Sequence, residues 1–411
     1  MRRHFIPAAC ALFVATVAGA APDEELLGKS RGYPIGTRAT WYFDETVRVG
    51  ASTHLDTLLP HHTLAKAATP SALPRAATEP AIAYRFRGER RTLNDYLDGQ
   101  RLTALLVIRD GEILVERYQY DRNDRHRFVS HSMAKSIVSL GIGIALADGS
   151  IRSLDDKARD YVPALAGNVY GETTLRNLLR MASGVKFSEE YDGRDDLSKF
   201  ARLQATKGTI AGLRLFGERE VPQGERFHYA SIETSALGAV LHAATAKSLS
   251  EFLGERLWRP MGAEADATWI IGGDGLERAA GNFNAVLRDY GRLGVLLAND
   301  GARDGRQIVP KDYLLEATDW HRHPAAFAPK DAGPRALGYG YQFWTLRGAE
   351  RRFALLGVFG QAIFVDPARK IVMVHLAAAK NARVGVESMG AERMALWEGV
   401  LASLGESAPR P

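Results

Sequence analysis

Two apolar runs, Thr103–Ile108 and Glu112–Tyr118, are built from strand-forming residues. Asp110-Gly111 lies between them, a strong turn signal that predicts an antiparallel hairpin. A longer apolar run, Ile137–Leu146, stops near Asp148-Gly149 and predicts a buried helix. From Leu154 to about Leu315 the pattern is mainly helical with long loops, as in Ser235–Ala246 and Leu287–Leu297. Strand patterns return at Tyr339–Trp344, Phe353–Gly357, Gln361–Val365 and Ile371–Leu376, separated by turn residues that include Asp366-Pro367. Val386–Leu404 predicts a closing helix. The order strands, helices, strands, helix points to an α+β fold. One antiparallel sheet is assembled from both chain ends and flanked by helices, with a mainly helical lobe inserted. The sheet-bearing part is expected at 81–150 and 336–405, and the lobe at 151–335. A cleft between sheet and lobe is the natural place for a site.

The first eighty residues behave differently. Arg2 and Arg3 precede an apolar stretch from Phe5 to Val17, and Ala18-Gly19-Ala20 has the small-x-small form of a cleavage site. Residues 1–20 are therefore expected to be a signal peptide, since the run is too short to span a bilayer. Export to the periplasm or beyond follows, with no stable membrane span after cleavage. Residues 21–80 carry scattered Pro and Gly with little periodicity and are expected to form an irregular arm. Cys10 is the only cysteine, so a mature chain would have neither disulfides nor thiolate chemistry. The formal charge of +5 is small for this length. No Lys/Arg stripe with interleaved aromatics argues for nucleic acid. The densest basic patch, Arg85–Arg91, fits a solvated loop.

The candidate chemistry begins at Ser132-Met133-Ala134-Lys135, at the mouth of the apolar run. A serine hydroxyl is a poor nucleophile until a base lies within hydrogen-bond reach. On a helix a residue three positions later stands one turn up on the same face, so Lys135 can reach Ser132. The helix N-terminus leaves backbone N–H groups free for a developing oxyanion. Ser183-Gly184-Val185-Lys186 has the same spacing. Gly184 disfavours helix there, and the copy is expected to mark the exit of a helix that begins near Thr174.

Among the 14 tyrosines, only Tyr229 is followed two positions later by Ser or Asn, in Tyr229-Ala230-Ser231. A lysine ammonium nearby would favour its phenolate, which suits a general base or proton relay. Downstream, Gly357-Val358-Phe359-Gly360-Gln361 opens a glycine-rich strand pattern. Glycine inside a strand often marks close approach of another backbone or a ligand. The expectation is an edge strand lying along the substrate, whose N–H near Val358 joins that of Ser132 in an oxyanion hole.

Together these residues resemble the serine β-lactamase and penicillin-binding superfamily. Ser-Asp-Asn and Lys-Thr-Gly do not occur, so the likeness is to the class C and esterase branch. Within it the chain is similar to the 6-aminohexanoate-dimer hydrolases. Phe128–Ser136, Leu154-Asp-Asp156, Thr174–Leu179, Met181–Gly184, Phe227–Ser231, Trp258–Gly262 and Gly357–Gln361 carry the likeness across about 82–376. It implies a hydrolase domain over 81–405 with Ser132 as acyl-forming nucleophile, Lys135 as its activator and Tyr229 as proton relay. It also implies Tyr191, in Ser188-Glu-Glu-Tyr191, as a substrate-side hydrogen-bond donor. The expected reaction is cleavage of a small amide or ester without metal or other cofactor. The alternatives are a D-alanyl-D-alanine peptidase or β-lactamase, and a non-catalytic receptor. Val358-Phe359-Gly360 stands where β-lactamases carry Lys-Thr-Gly, which removes a cation for a β-lactam carboxylate. His131 and His228, flanking Ser132 and Tyr229, are expected to line the pocket. His61-His62 and His321-Arg-His323 have no carboxylate at metal spacing and are expected on the surface.

Overall fold

A computed structural model describes residues 21–329, 337–383, 385 and 388–405. The expected signal peptide lies outside the described residues, as do Val386 and Glu387 at the start of the expected closing helix. Asp110 and Gly111 both adopt left-handed φ, 50° and 81°. That pair of angles is what a two-residue hairpin turn needs. It joins Leu102–Arg109 to Glu112–Tyr118. This hairpin is one end of a seven-stranded antiparallel sheet. The order runs Leu337–Tyr339, Trp344–Leu346, Arg352–Leu356, Ala362–Asp366, Ile371–Ala377, Leu102–Arg109, Glu112–Tyr118. Early and late segments meet where Ile371–Ala377 pairs with Leu102–Arg109, both almost wholly buried. One α+β sheet is thus drawn from both chain ends, as the pattern predicts.

Helices cover both faces of the sheet. Ser388–Ser403 and Leu93–Gly99 pack with the hairpin Ala83–Phe86/Glu89–Thr92 around one core that contains Trp397, Phe364 and Tyr96. Leu287–Ala298 covers the other face. Gly291 lets it sit close, since a Cβ there would come within 2.6 Å of Leu106. The larger core joins this face to the helices Ala134–Ala147 and Ser231–Thr245. Gly141 and Gly143 allow the same intimacy, facing Leu241 at 2.7 Å and Tyr313 at 2.5 Å for a notional Cβ.

Three local expectations differ from the structure. The arm is not wholly irregular: Arg48–Leu58 is a helix and His61–Leu64 a strand. That helix is buried along most of its length, so it shows no one-sided apolar stripe. The strand pairs with Ala267–Ile270, about 200 residues away. With Phe283–Ala285 and Phe128–Val129 they form a second, four-stranded sheet, so the lobe segment also contributes strands. Tyr339–Trp344 is two strands around a tight bend, because Gln342 takes a left-handed φ of 64°. Its side chain accepts from Thr234 at 2.6 Å and donates to the carbonyls of Leu178 and Leu179 at 3.0 Å.

Candidate active site

The short strand Phe128–Val129 delivers the chain into a tight turn, His131–Met133, that runs directly into Ala134–Ala147. Ser130 N–H is anchored on Phe283 O at 2.7 Å. His131 is held at a left-handed φ of 44°, a strained value for a residue with a Cβ. Ser132 follows, half-buried, and Lys135 is 1% exposed. The Lys135 amine donates to Ser132 Oγ at 2.8 Å and to Ala280 O at 2.8 Å. Burial pushes the amine down to about 8, partly opposed by the Glu189 carboxylate. About a tenth of the amine is then neutral at pH 7, and only that form can accept a proton.

Tyr229 comes from the loop ahead of Ser231–Thr245 and completes the cluster. Its ring centre is 5.1 Å from Lys135 Nζ, and its phenol is close enough to the Ser132 hydroxyl to feel it. Trp344 stacks on it at 5.6 Å and Tyr339 meets it edge-on at 6.1 Å. The expectation of a phenol lowered by the ammonium is corrected here. Desolvation and the Glu189 carboxylate push it up from the ordinary value, against the influence of the Ser132 hydroxyl. Tyr229 is therefore held as a neutral phenol, not a phenolate.

Glu189 is the residue that sequence reasoning missed. Its buried carboxylate accepts from Ser231 N–H and Ser231 Oγ, both at 2.7 Å, and from the Tyr191 hydroxyl at 2.7 Å. Tyr191 lies beside the cluster, at a left-handed φ of 63°. Its hydroxyl donates to Glu189, which differs from the expected donation to substrate. The only advance signal was its place in Ser188-Glu-Glu-Tyr191. Its partner Ser231 lies 42 residues on, beyond any local spacing rule.

The edge-strand expectation for Val358 is also corrected. Val358–Gly360 is a tight turn joining Arg352–Leu356 to Ala362–Asp366, and both strands are interior to the sheet. The glycine signal itself pointed the right way. Gly357 lies against the His131–Met133 turn, where a Cβ would come within 2.5 Å of Ser130 O and 3.2 Å of His131 Cβ. The Val358 turn is thereby brought beside Ser132.

The second Ser-x-x-Lys is a helix exit. Gly184 has φ 73°, Ser183 Oγ donates to Glu233 at 2.7 Å, and Lys186 reaches out to Glu218 at 3.4 Å. His228 is fixed to Phe187 O at 2.7 Å. His131 packs among aromatic rings, and burial pushes it down to about 3. His62 does meet a carboxylate, Glu277 at 2.9 Å, as does His321 with Asp319 at 2.9 Å. Each is a contact between one imidazole and one carboxylate. Among the described residues no group of three or more His, Cys, Asp or Glu is placed to hold a metal ion. No helix among them is long and apolar enough to cross a membrane.

Comparison with known proteins identifies the family. The chain is 26% identical over 326 residues to the 6-aminohexanoate-dimer hydrolase of Paenarthrobacter ureafaciens, covering 74% of this chain and 80% of that one. Its structure is similar to that of a Bacillus anthracis protein assigned provisionally as a 6-aminohexanoate-dimer hydrolase. That match has a TM-score of 0.78 and 22% identity over 91% of this chain and 98% of that one. It is also similar to EstCE1, a hydrolase with promiscuous acyltransferase activity, with a TM-score of 0.56 and 15% identity. There the match covers 74% and 95% of the two chains. The Beta-lactamase family model matches residues 90–388. The chain belongs to the Beta-lactamase family and is a serine hydrolase of the β-lactamase and penicillin-binding superfamily.

Proposed function

We propose that this chain cleaves small linear amides or esters through an acyl-enzyme on Ser132. The observation that carries the reading is the buried Lys135 amine, 2.8 Å from Ser132 Oγ. Neutral Lys135 takes the Ser132 proton as Oγ attacks the carbonyl carbon. The oxyanion is received by the N–H groups of Ser132 and Val358. As the tetrahedral intermediate collapses, the Tyr229 phenol passes a proton to the departing nitrogen or oxygen and is recharged from Lys135. Water then attacks the ester carbonyl, with Lys135 and Tyr229 handling its proton, and Ser132 is released. Tyr191 and Glu189 frame the substrate side.

The name carried by the Paenarthrobacter relative supports a small amide as substrate. The turn Val358-Phe359-Gly360 contributes no cation of its own, which disfavours a β-lactam carboxylate. Export fits the first residues of the fold: cleavage before Ala21 would leave Ala21 packed with Leu27, Tyr33, Val49, Tyr120 and Ala378. The test is labelling with a fluorophosphonate probe. Wild type should gain the probe's mass on the peptide holding Ser132, and Ser132→Ala should not. Unchanged ester turnover by Ser132→Ala would overturn the assignment.

A further inference from the structure

The arm reaches the catalytic cluster through three aromatic residues, Trp41, Tyr42 and Phe43, all upstream of the 90–388 family match. Tyr42 sits among the neighbours of the reacting groups. Its ring centre lies 5.3 Å from that of Phe359, next to Val358, and 6.1 Å from that of His131, next to Ser132. Trp41 stacks on His131 at 6.4 Å with the rings 7° from parallel. On the far side Phe43, 58% exposed, closes on the Tyr191 loop: a Cβ on Gly193 would come within 3.3 Å of its ring. Tyr42 is also within electrostatic reach of Tyr229, Tyr191 and Glu189. Burial and the Glu189 and Asp195 carboxylates keep its phenol neutral.

The arm is clamped where it does this. The Arg48 guanidinium donates to Ala379 O at 3.0 Å, Lys380 O at 2.8 Å and Phe43 O at 3.4 Å. It also lies 4.2 Å over the Phe359 ring. Asp44 accepts from Thr46 N–H at 2.9 Å and opens the turn that leads into the buried helix. The segment between is therefore a fixed strap from the Val358 turn to the Tyr191 loop.

We propose that residues 41–43 form the outer wall of the substrate cleft, and that Tyr42 selects for an apolar chain beside the scissile carbonyl. The inference rests on the acyl-enzyme reading above. A flat, edge-rich aromatic wall gains from each methylene laid against it. It offers no charged partner to an acyl chain. A short acyl group would not reach it.

The experiment measures kcat/KM for p-nitrophenyl acetate, butyrate and octanoate with wild type, Tyr42→Ala, Tyr42→Phe and Tyr42→Trp, each also treated with the fluorophosphonate probe. Tyr42→Ala is expected to lower the octanoate-to-acetate ratio by about tenfold or more, within the range that pocket contacts discriminate. Tyr42→Phe should keep the ratio, because the ring is the wall. Tyr42→Trp should lower it by filling the space. An unchanged ratio in Tyr42→Ala with Ser132 still labelled overturns the proposal. So does a Tyr42→Phe ratio that falls as far as the alanine variant's. Should Tyr42→Ala fail to fold, Tyr42→Trp decides alone, and an unchanged ratio there overturns the wall. Failure of wild type to label at Ser132 sinks the acyl-enzyme reading instead, and is seen separately.

Discussion

Lys135 donates to the carbonyl oxygen of Ala280 at 2.8 Å, across 145 residues of chain. This bond aims the amine. It fixes Nζ beside the Ser132 hydroxyl and the Tyr229 ring. An amine so placed keeps its proton poorly, since burial removes the water that would stabilise it.

A pH profile follows from this. The amine sits at about 8, below its ordinary 10.5. Ester turnover should rise about tenfold per pH unit below 8 and level off above it, because only the neutral amine accepts the serine proton. Stability should follow the same group with its own sign. Between about 8 and 10.5 the unfolded chain holds a proton here that the folded chain has lost. Stability therefore rises with pH across that window. A rate that is flat from pH 6 to 9 would remove Lys135 as the activator.

Glu189→Gln tests the buried carboxylate. Its charge raises the Lys135 amine, so removing the charge should move the rising limb of the profile to lower pH. Ser231→Ala removes only the hydroxyl's hydrogen bond to the carboxylate, keeps the backbone N–H bond and leaves that charge, so it should not move the limb. Steady-state rates at five or six pH values distinguish the two. A limb that stays in place in Glu189→Gln would refute the electrostatic link.

Gly357→Ala should damage catalysis by sterics alone. Its φ of −133° is ordinary for any residue, but a Cβ would come within 2.5 Å of the Ser130 carbonyl. Either the Val358 turn or the Ser132 turn must move. The expected loss is roughly 10²-fold in kcat, the scale of one oxyanion donor. Stability should fall by about 1–3 kcal/mol in chemical denaturation.

Gly238→Ala should couple stability to activity at a distance. The helix Ser231–Thr245 touches Ala279 there, and a Cβ on Gly238 would come within 2.5 Å of that of Ala279. Ala280, the next residue, holds Lys135. The gain in helix propensity, about 1 kcal/mol, offsets part of the clash. A net loss of about 1–2 kcal/mol is expected, with a fall in kcat. Full activity in a folded Gly238→Ala would show that Ala280 does not set the amine.

Local rules carried the parts of this protein in which neighbours in space are neighbours in chain. Ser132 and Lys135 are three residues apart, and one turn of backbone delivers one to the other. Asp110-Gly111 makes its hairpin from two adjacent φ angles. The strand and helix order was enough for the sheet drawn from both ends. Other features depend on partners far along the chain, and no period reveals those. His61–Leu64 becomes a strand only because Ala267–Ile270 lies beside it. Tyr339–Trp344 breaks because the Gln342 side chain reaches Thr234 and the carbonyls of Leu178 and Leu179. The Tyr229 phenol is held up by burial and by a carboxylate 40 residues earlier, overriding the reading from Lys135 alone. Residue types and spacing determined which groups are present, whereas packing decided how much water each one keeps, and therefore where its proton goes.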